Sequence, residues 1–228
     1  MPSSIVLFAG PSLYGTGLHP KSGPDIEWRA PARRGDIEAL INSRAPGAIG
    51  LADGTFHSYP SVGHVELREA LAAGWSVFGL CSMGAIRAAE MLHMGMQPWG
   101  EVARHFCRHI ETPDDEVALV HGTEWPYVPF SEPLVHIRAF LTRLANEGIL
   151  SASDASAIAA HLASIWYGNR TLGLLAELLI QRLGSLRTDC AVLLSDFDQF
   201  RLKQQDLLQF VTQQPWLTGF FTGYCTGA

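Results

Sequence analysis

The sequence has no Gly-x-Gly-x-x-Gly attached to a strand and no Gly-x-x-x-x-Gly-Lys-Ser/Thr, so neither familiar nucleotide-binding loop is signalled. It also lacks His-x-His and His-Glu-x-x-His. The histidine pair at helical spacing, His105 and His109, reads as a solvated helix face, and Asp114-Asp115-Glu116 as a solvated turn before a strand; no metal or other cofactor is implied. The four cysteines, Cys81, Cys107, Cys190 and Cys225, share no Cys-x-x-Cys spacing, which leaves neither a zinc knuckle nor a disulfide framework and predicts reduced thiols. No apolar run is long enough to cross a bilayer, and MPSSIVLFAG has neither a basic n-region nor a small-residue cleavage site, so a cytoplasmic protein is expected. Basic residues number 16 against 22 acidic ones and are dispersed. At a net charge of −6 and a pI near 5.8 there is no electrostatic footprint for nucleic acid or an anionic membrane, and neither is expected as a partner.

What the chain does have is apolar content, 47% of 228 residues, enough for a sizeable core. Short apolar runs alternate with loops and amphipathic segments up to about residue 125, the cadence of a parallel α/β sheet. Strands are expected at Ser4 to Phe8, around Asp25 to Arg29, Gly47 to Ala52, Ser76 to Leu80 and Glu116 to His121. Crossover helices are expected from Asp36 to before Pro46 and from Ser61 to Ala73. The turn-rich segment Leu13 to Ser22 is a candidate to close over a ligand. Beyond Pro133 the pattern turns helical, at Leu134 to Asn146, Ser153 to Ser164, Arg170 to Leu183 and Asp189 to Val211. The expected architecture is a Rossmann-like parallel sheet flanked by helices (residues 1–130) with a mainly helical C-terminal region (131–228) packed on it, the tail QPWLTGFFTGYCTGA included.

In an open parallel sheet, ligands gather beyond the carboxyl ends of the strands. The sequence places Gly10-Pro11-Ser12, Asp53-Gly54, Cys81-Ser82-Met83-Gly84 and His121-Gly122 there. The third carries most chemistry, because WSVFGLCSMGAIRAAEM reads as strand, tight turn and helix start, where free backbone N–H groups stabilise an anion or a developing oxyanion. Three readings stay open. Cys81 has Gly79 two residues before it and Ser82 has Gly84 two after, so each matches half of a nucleophile elbow. A Cys81 thiol at a helix start is expected to ionise readily, whereas a Ser82 nucleophile needs a base. In the third reading Ser82 only caps the helix, and the turn binds a carboxylate or phosphate. Candidate bases and orienting groups are His57, His64, Glu66, Glu90 and His121, with His64 and Glu66 best placed. Arg87 either clamps an anion or pairs with Glu90, three residues on.

Taken in order, Gly10-Pro11-Ser12, Pro31-Ala-Arg-Arg-Gly-Asp36, Ile49-Gly-Leu-Ala-Asp-Gly54 with Phe56, His64 with Glu66, and Ser82-Met-Gly-Ala-Ile-Arg-Ala-Ala-Glu90 resemble the TfuA-like proteins. The likeness continues through Asp114-Asp-Glu-Val-Ala118, His121-Gly122, Ser131-Glu-Pro-Leu-Val135 with Ile137-Arg138, and faintly Arg170-Thr171. It departs at Cys81, where the pattern has a small residue, and at His136, where it often has Asn, which makes Ser82 the better carry-over. The resemblance implies a part in backbone thioamidation of a peptide or protein, beside a YcaO-type ATP-dependent enzyme. In that scheme the C-terminal thiocarboxylate of a ThiS-like sulfur carrier is hydrolysed to release sulfide, or the chain docks the carrier or peptide without catalysis. From their placement at the strand ends, Ser82 or Cys81 is expected as nucleophile or oxyanion binder, His64 as base and Asp53 as positioning or polarising group, with water an equal candidate for the attack. Gly10, Pro11, Ser12, Gly54, Met83, Gly84 and Arg87 then line the site, the glycine-rich turns admitting a tail that ends in Gly-Gly.

Overall fold

The computed structural model describes residues 4–20, 25–56, 59–183 and 190–218. His57, the end of the turn-rich segment at Lys21 and Ser22, and the tail from residue 219 lie outside them. The chain divides into two compact units, Met1–Thr112 with Lys203–Ala228, and Pro113–Leu202 between these two segments.

In the first unit five strands, β1 (Ile5–Phe8), β2 (Ile26–Arg29), β3 (Ala48–Leu51), β4 (Ser76–Gly79) and β5 (Gln97–Pro98), form one parallel sheet in the order β2-β1-β3-β4-β5. Helices α1 (Asp36–Ser43), α2 (His64–Ala72) and α3 (Met83–Glu90) alternate with the strands, and α4 (Gly100–Arg108) follows β5. The first four strands lie where the sequence places them. The expected strand at Glu116 to His121 does not form: Asp114–Glu116 is a single 3-10 turn and His121 makes only an isolated bridge to Pro129. Its place in the sheet is taken by the two-residue β5.

The second unit is helical, with α5 (Leu134–Asn146), α6 (Ala152–Ser164), α7 (Leu172–Leu183) and α8 (Cys190–Ser195) around a core that includes Ile137, Phe140, Leu144, Leu162, Leu175 and Leu179. Arg170, fully buried, donates to the Leu162 and Asp115 carbonyls at 2.8 and 2.7 Å and to the Asp115 carboxylate at 2.5 Å. Glu116 pairs with Arg138. These acidic residues are therefore internal ties rather than a solvated turn.

The continuous helix expected over Asp189 to Val211 is broken at Asp196–Arg201, which holds a 3-10 turn, and only then does α9 (Leu202–Gln213) begin, followed by α10 (Pro215–Thr218). From Lys203 onward this segment belongs to the sheet unit. Side chains alternate along each strand, so the sheet buries both faces. Val6, Phe8, Ile49, Leu51 and Val77 pack with Ile37, Leu40, Leu67, Ala70, Met83 and Ala88 of α1, α2 and α3. Ile5, Leu7, Ala48 and Phe78 pack with Leu207 and Phe210 of α9 and Trp216 of α10. Among the described residues no helix is long and apolar enough to cross a membrane.

Candidate functional site

A strand order that runs outward in both directions from the β1–β3 pair creates a crevice beyond the carboxyl ends of those two strands. Asp53, the second residue after β3, spans it. Its Oδ2 accepts the Gly10 and Ser12 amides at 2.8 and 3.0 Å, and its Oδ1 accepts the Ser12 hydroxyl at 2.8 Å. Asp53 and Ser12 are both buried, so this carboxylate is an internal acceptor. Gly54 bridges to Ala32, and a Cβ on it would stand 2.9 Å from that of Met83.

The turn after β4 is joined to the same place. The Ala52 carbonyl accepts the Ser82 amide at 3.0 Å and the Gly84 amide at 3.4 Å, so these two N–H groups of the helix start are occupied rather than open to a ligand. Such close approach requires glycine: a Cβ on Gly84 would meet the Leu51 carbonyl oxygen at 1.5 Å, and one on Gly79 would meet the Gly84 oxygen at 2.1 Å. Between them Cys81 adopts φ 61°, the left-handed region uncommon for a residue with a side chain, as a sharp strand-to-helix turn demands. Ser82 sits at the N-cap of α3, but its hydroxyl makes no capping bond, in contrast to the capping reading.

Cys81, Ser82, Met83 and Gly84 are all buried. The Cys81 thiol donates to the Lys203 carbonyl at 3.1 Å. Burial pushes this thiol well above its ordinary value, and the charges of Asp53 and Asp206 add to the effect. The charge of Lys203 and the Ser12 hydroxyl act the other way without overcoming it. The expectation of a thiol ionised by the helix start is therefore corrected: burial holds Cys81 as a neutral thiol.

His64 and Arg87 stand apart from this cluster. The exposed His64 ring bonds Glu90 at 2.8 Å, and Arg87 binds the same Glu90 oxygen at 2.6 Å and the Val62 carbonyl at 3.1 Å. Glu66 accepts the Gly63 amide at its own helix start, and the Gly35 and Ile37 amides at the start of α1, so its carboxylate serves two helix ends. His121 belongs to the second unit, where its Nδ1 lies 2.7 Å from the Gly122 oxygen.

The residues that sequence reasoning missed are Lys203 and Asp206. Lys203 is wholly buried. Asp206 accepts the Glu101 and Val102 amides at 2.7 and 2.9 Å, capping α4 from α9; burial, against those bonds, pushes its carboxyl up to about 6. A signal existed in the spacing: Lys203, Leu207 and Phe210 recur at i, i+4 and i+7, which places a cation on the apolar stripe of a helix. Among the described residues, no group of three or more His, Cys, Asp or Glu side chains is arranged to hold a metal.

Compared with known proteins, residues 53–171 match the family model described as TfuA-like protein. No curated protein matches the chain.

Proposed function

The chain belongs to the TfuA-like protein family, and from that premise we propose that it supplies sulfur for backbone thioamidation by hydrolysing the C-terminal thiocarboxylate of a ThiS-like carrier, for use by a YcaO-type partner. The observation that carries this reading is the convergence of Ser12, Asp53, Cys81 and Ser82 at the tips of β1, β3 and β4. Cys81 there occupies the strained position of a strand-to-helix elbow. In the reaction the oxygen of water, or first of Ser82, adds to the terminal carbonyl carbon and the carbon–sulfur bond breaks. Sulfur leaves as hydrosulfide, the tail ends as a carboxylate, and one proton is released. The oxyanion formed on the way needs donors or a cation aimed at it. His64, committed to Glu90 on the surface, is the weakest member of the set expected from the strand ends.

The enclosure of residues 81–84 favours a second reading, in which the chain docks carrier or peptide onto the partner without catalysis. Incubating the purified protein alone with thiocarboxylated carrier, and reading hydrosulfide by a fluorogenic trap, decides between them. Release that falls at least about tenfold in Ser82→Ala supports the hydrolase with Ser82 at its centre. Release lost in Cys81→Ala but kept in Ser82→Ala moves the centre to the thiol. Saturable binding without release supports the docking reading.

A further inference from the structure

This acidic chain keeps most of its arginines in ion pairs; among the described residues only Arg33, Arg34, Arg68 and Arg108 have none. All four are exposed, and two of them are consecutive. Arg33 and Arg34 stand in the loop that follows β2, at the carboxyl end of the sheet. Their neighbour Ala32 donates its amide to the Asp53 carbonyl at 2.9 Å and bridges Gly54, so this loop edges the strand-tip cluster.

Both side chains are set against the segment 59–62 between β3 and α2. The Arg33 guanidinium lies over the Tyr59 ring, 4.0 Å from its centre. Arg34 donates from Nε to the Ser61 carbonyl at 3.4 Å and from its amide to the Pro60 carbonyl at 2.9 Å. Arg87 steadies the same segment from α3, through the Val62 carbonyl at 3.1 Å and the Ser61 hydroxyl at 3.4 Å. A long cationic side chain loses rotamer freedom when it binds, and one already stacked or tied loses less. The carboxylates of this neighbourhood are committed elsewhere. Asp53 and Glu66 receive backbone amides, Asp36 receives the Arg33 amide at 2.8 Å, and Glu90 is taken by Arg87 and His64. Two exposed guanidiniums are thus left without a counter-charge beside the site, on a molecule whose net charge is −6.

An acidic protein approaching such a molecule is repelled by most of its surface and attracted where positive charge is uncompensated, which selects the face it meets and its orientation. Guanidinium forks suit carboxylates, which take two parallel N–H donors. A nucleic-acid backbone needs a longer row of cations than this edge holds. We infer that Arg33 and Arg34, the first stacked on Tyr59, are a docking edge for Asp and Glu side chains of the carrier protein whose C-terminal tail is processed at the strand tips. This rests on the reading of the site as one for a carrier's C-terminal thiocarboxylate. The contacts fall on exposed side chains and ask for no opening of the buried turn at 81–84.

The test uses the whole protein and a ThiS-type carrier ending in Gly-Gly, with a carboxylate terminus for binding and a thiocarboxylate for turnover. Calorimetry is expected to show binding that weakens as salt is raised. Arg33→Glu with Arg34→Glu is expected to weaken it at least about tenfold, and Arg33→Gln with Arg34→Gln by a smaller factor. Arg68→Glu with Arg108→Glu makes the same change in net charge at exposed positions on α2 and α4, and is expected to weaken binding less than about threefold. Circular dichroism and thermal melts check the fold of each variant. In turnover, the reversal at 33 and 34 is expected to raise KM and keep kcat. The assignment is overturned by no binding in the unaltered protein, by binding that ignores both substitutions at 33 and 34, or by an equal loss in the control pair. Single-stranded DNA held at this edge more tightly than the carrier overturns it too. Carrier bound through Arg33 and Arg34 without hydrosulfide release leaves the docking edge standing while the hydrolase reading fails. Release with binding indifferent to these arginines does the reverse.

Discussion

At the scale of single residues, Asp53 holds the crevice together through hydrogen bonds rather than packing. Three donors, the Gly10 and Ser12 amides and the Ser12 hydroxyl, end on one buried carboxylate. Removing an acceptor leaves buried donors bare, which costs more than losing one partner of a pair that water can replace. Asp53→Ala is therefore expected to destabilise the sheet unit by about 3 kcal/mol or more, and Ser12→Ala by about 1 kcal/mol. Urea midpoints at unchanged slope check both values. A second expectation concerns the two cysteines described as free thiols, Cys81 buried and Cys107 half-buried. Iodoacetamide at neutral pH is expected to label Cys107 far faster than Cys81, read by mass spectrometry of the intact and digested protein.

At the scale of elements, the acid-sensitive joint is that between α9 and α4. Asp206 titrates near 6 in the folded protein against an ordinary 3.8, burial being the main cause. Folding thus favours its protonated form, so this contribution to stability is complete below about 4 and is lost as pH rises through about 6. Against Asp206→Asn, which does not titrate, the native protein is expected to lose roughly 2–3 kcal/mol between those limits. Paired thermal melts across that window measure the difference. The elements themselves were largely legible from sequence, for physical reasons. Strands β1, β3 and β4 are buried on both faces and show as apolar runs; α5 and α6 show 3.6-residue periodicity. β5 was not legible, because Gln97–Pro98 has no run to betray it and exists only as a partner for Phe78 and Gly79. Glu116 to His121 misled because Val117 and Ala118 are buried without any strand beside them. The site was legible as far as local turns announce it, through Asp53 and the elbow at Cys81. Lys203 reaches Cys81 across 122 residues of sequence, and no local rule reports such a meeting.

At the scale of the whole molecule, the two units answer acid with opposite signs. In the second unit burial alone raises the Glu132 carboxyl, but His136 at 3.3 Å and Arg201 at 2.5 Å hold it below its ordinary value of 4.5. Its contribution is present above that value and disappears as pH falls below it. Acidification from about 6 to about 4 is thus expected to strengthen α4 and α9 through Asp206, whereas further acidification weakens α5 through Glu132. Hydrogen exchange resolved by peptide, corrected for the intrinsic rate at each pH, is expected to show protection in 100–108 and 202–213 rising before that in 134–146 falls.

The sheet unit is assembled from two stretches of chain with ninety residues of another unit threaded between them, Pro113–Leu202. A ribosome working from the amino end therefore delivers β1, β3 and β4 long before the helix that shields their second face. Until that helix arrives, Ile5, Leu7 and Phe78 stand uncovered on the nascent chain and offer a foothold to chaperones. A message cut short anywhere in the interval yields a product that carries the elbow sequence but lacks α9 and its cover, greasy enough to be recognised and destroyed.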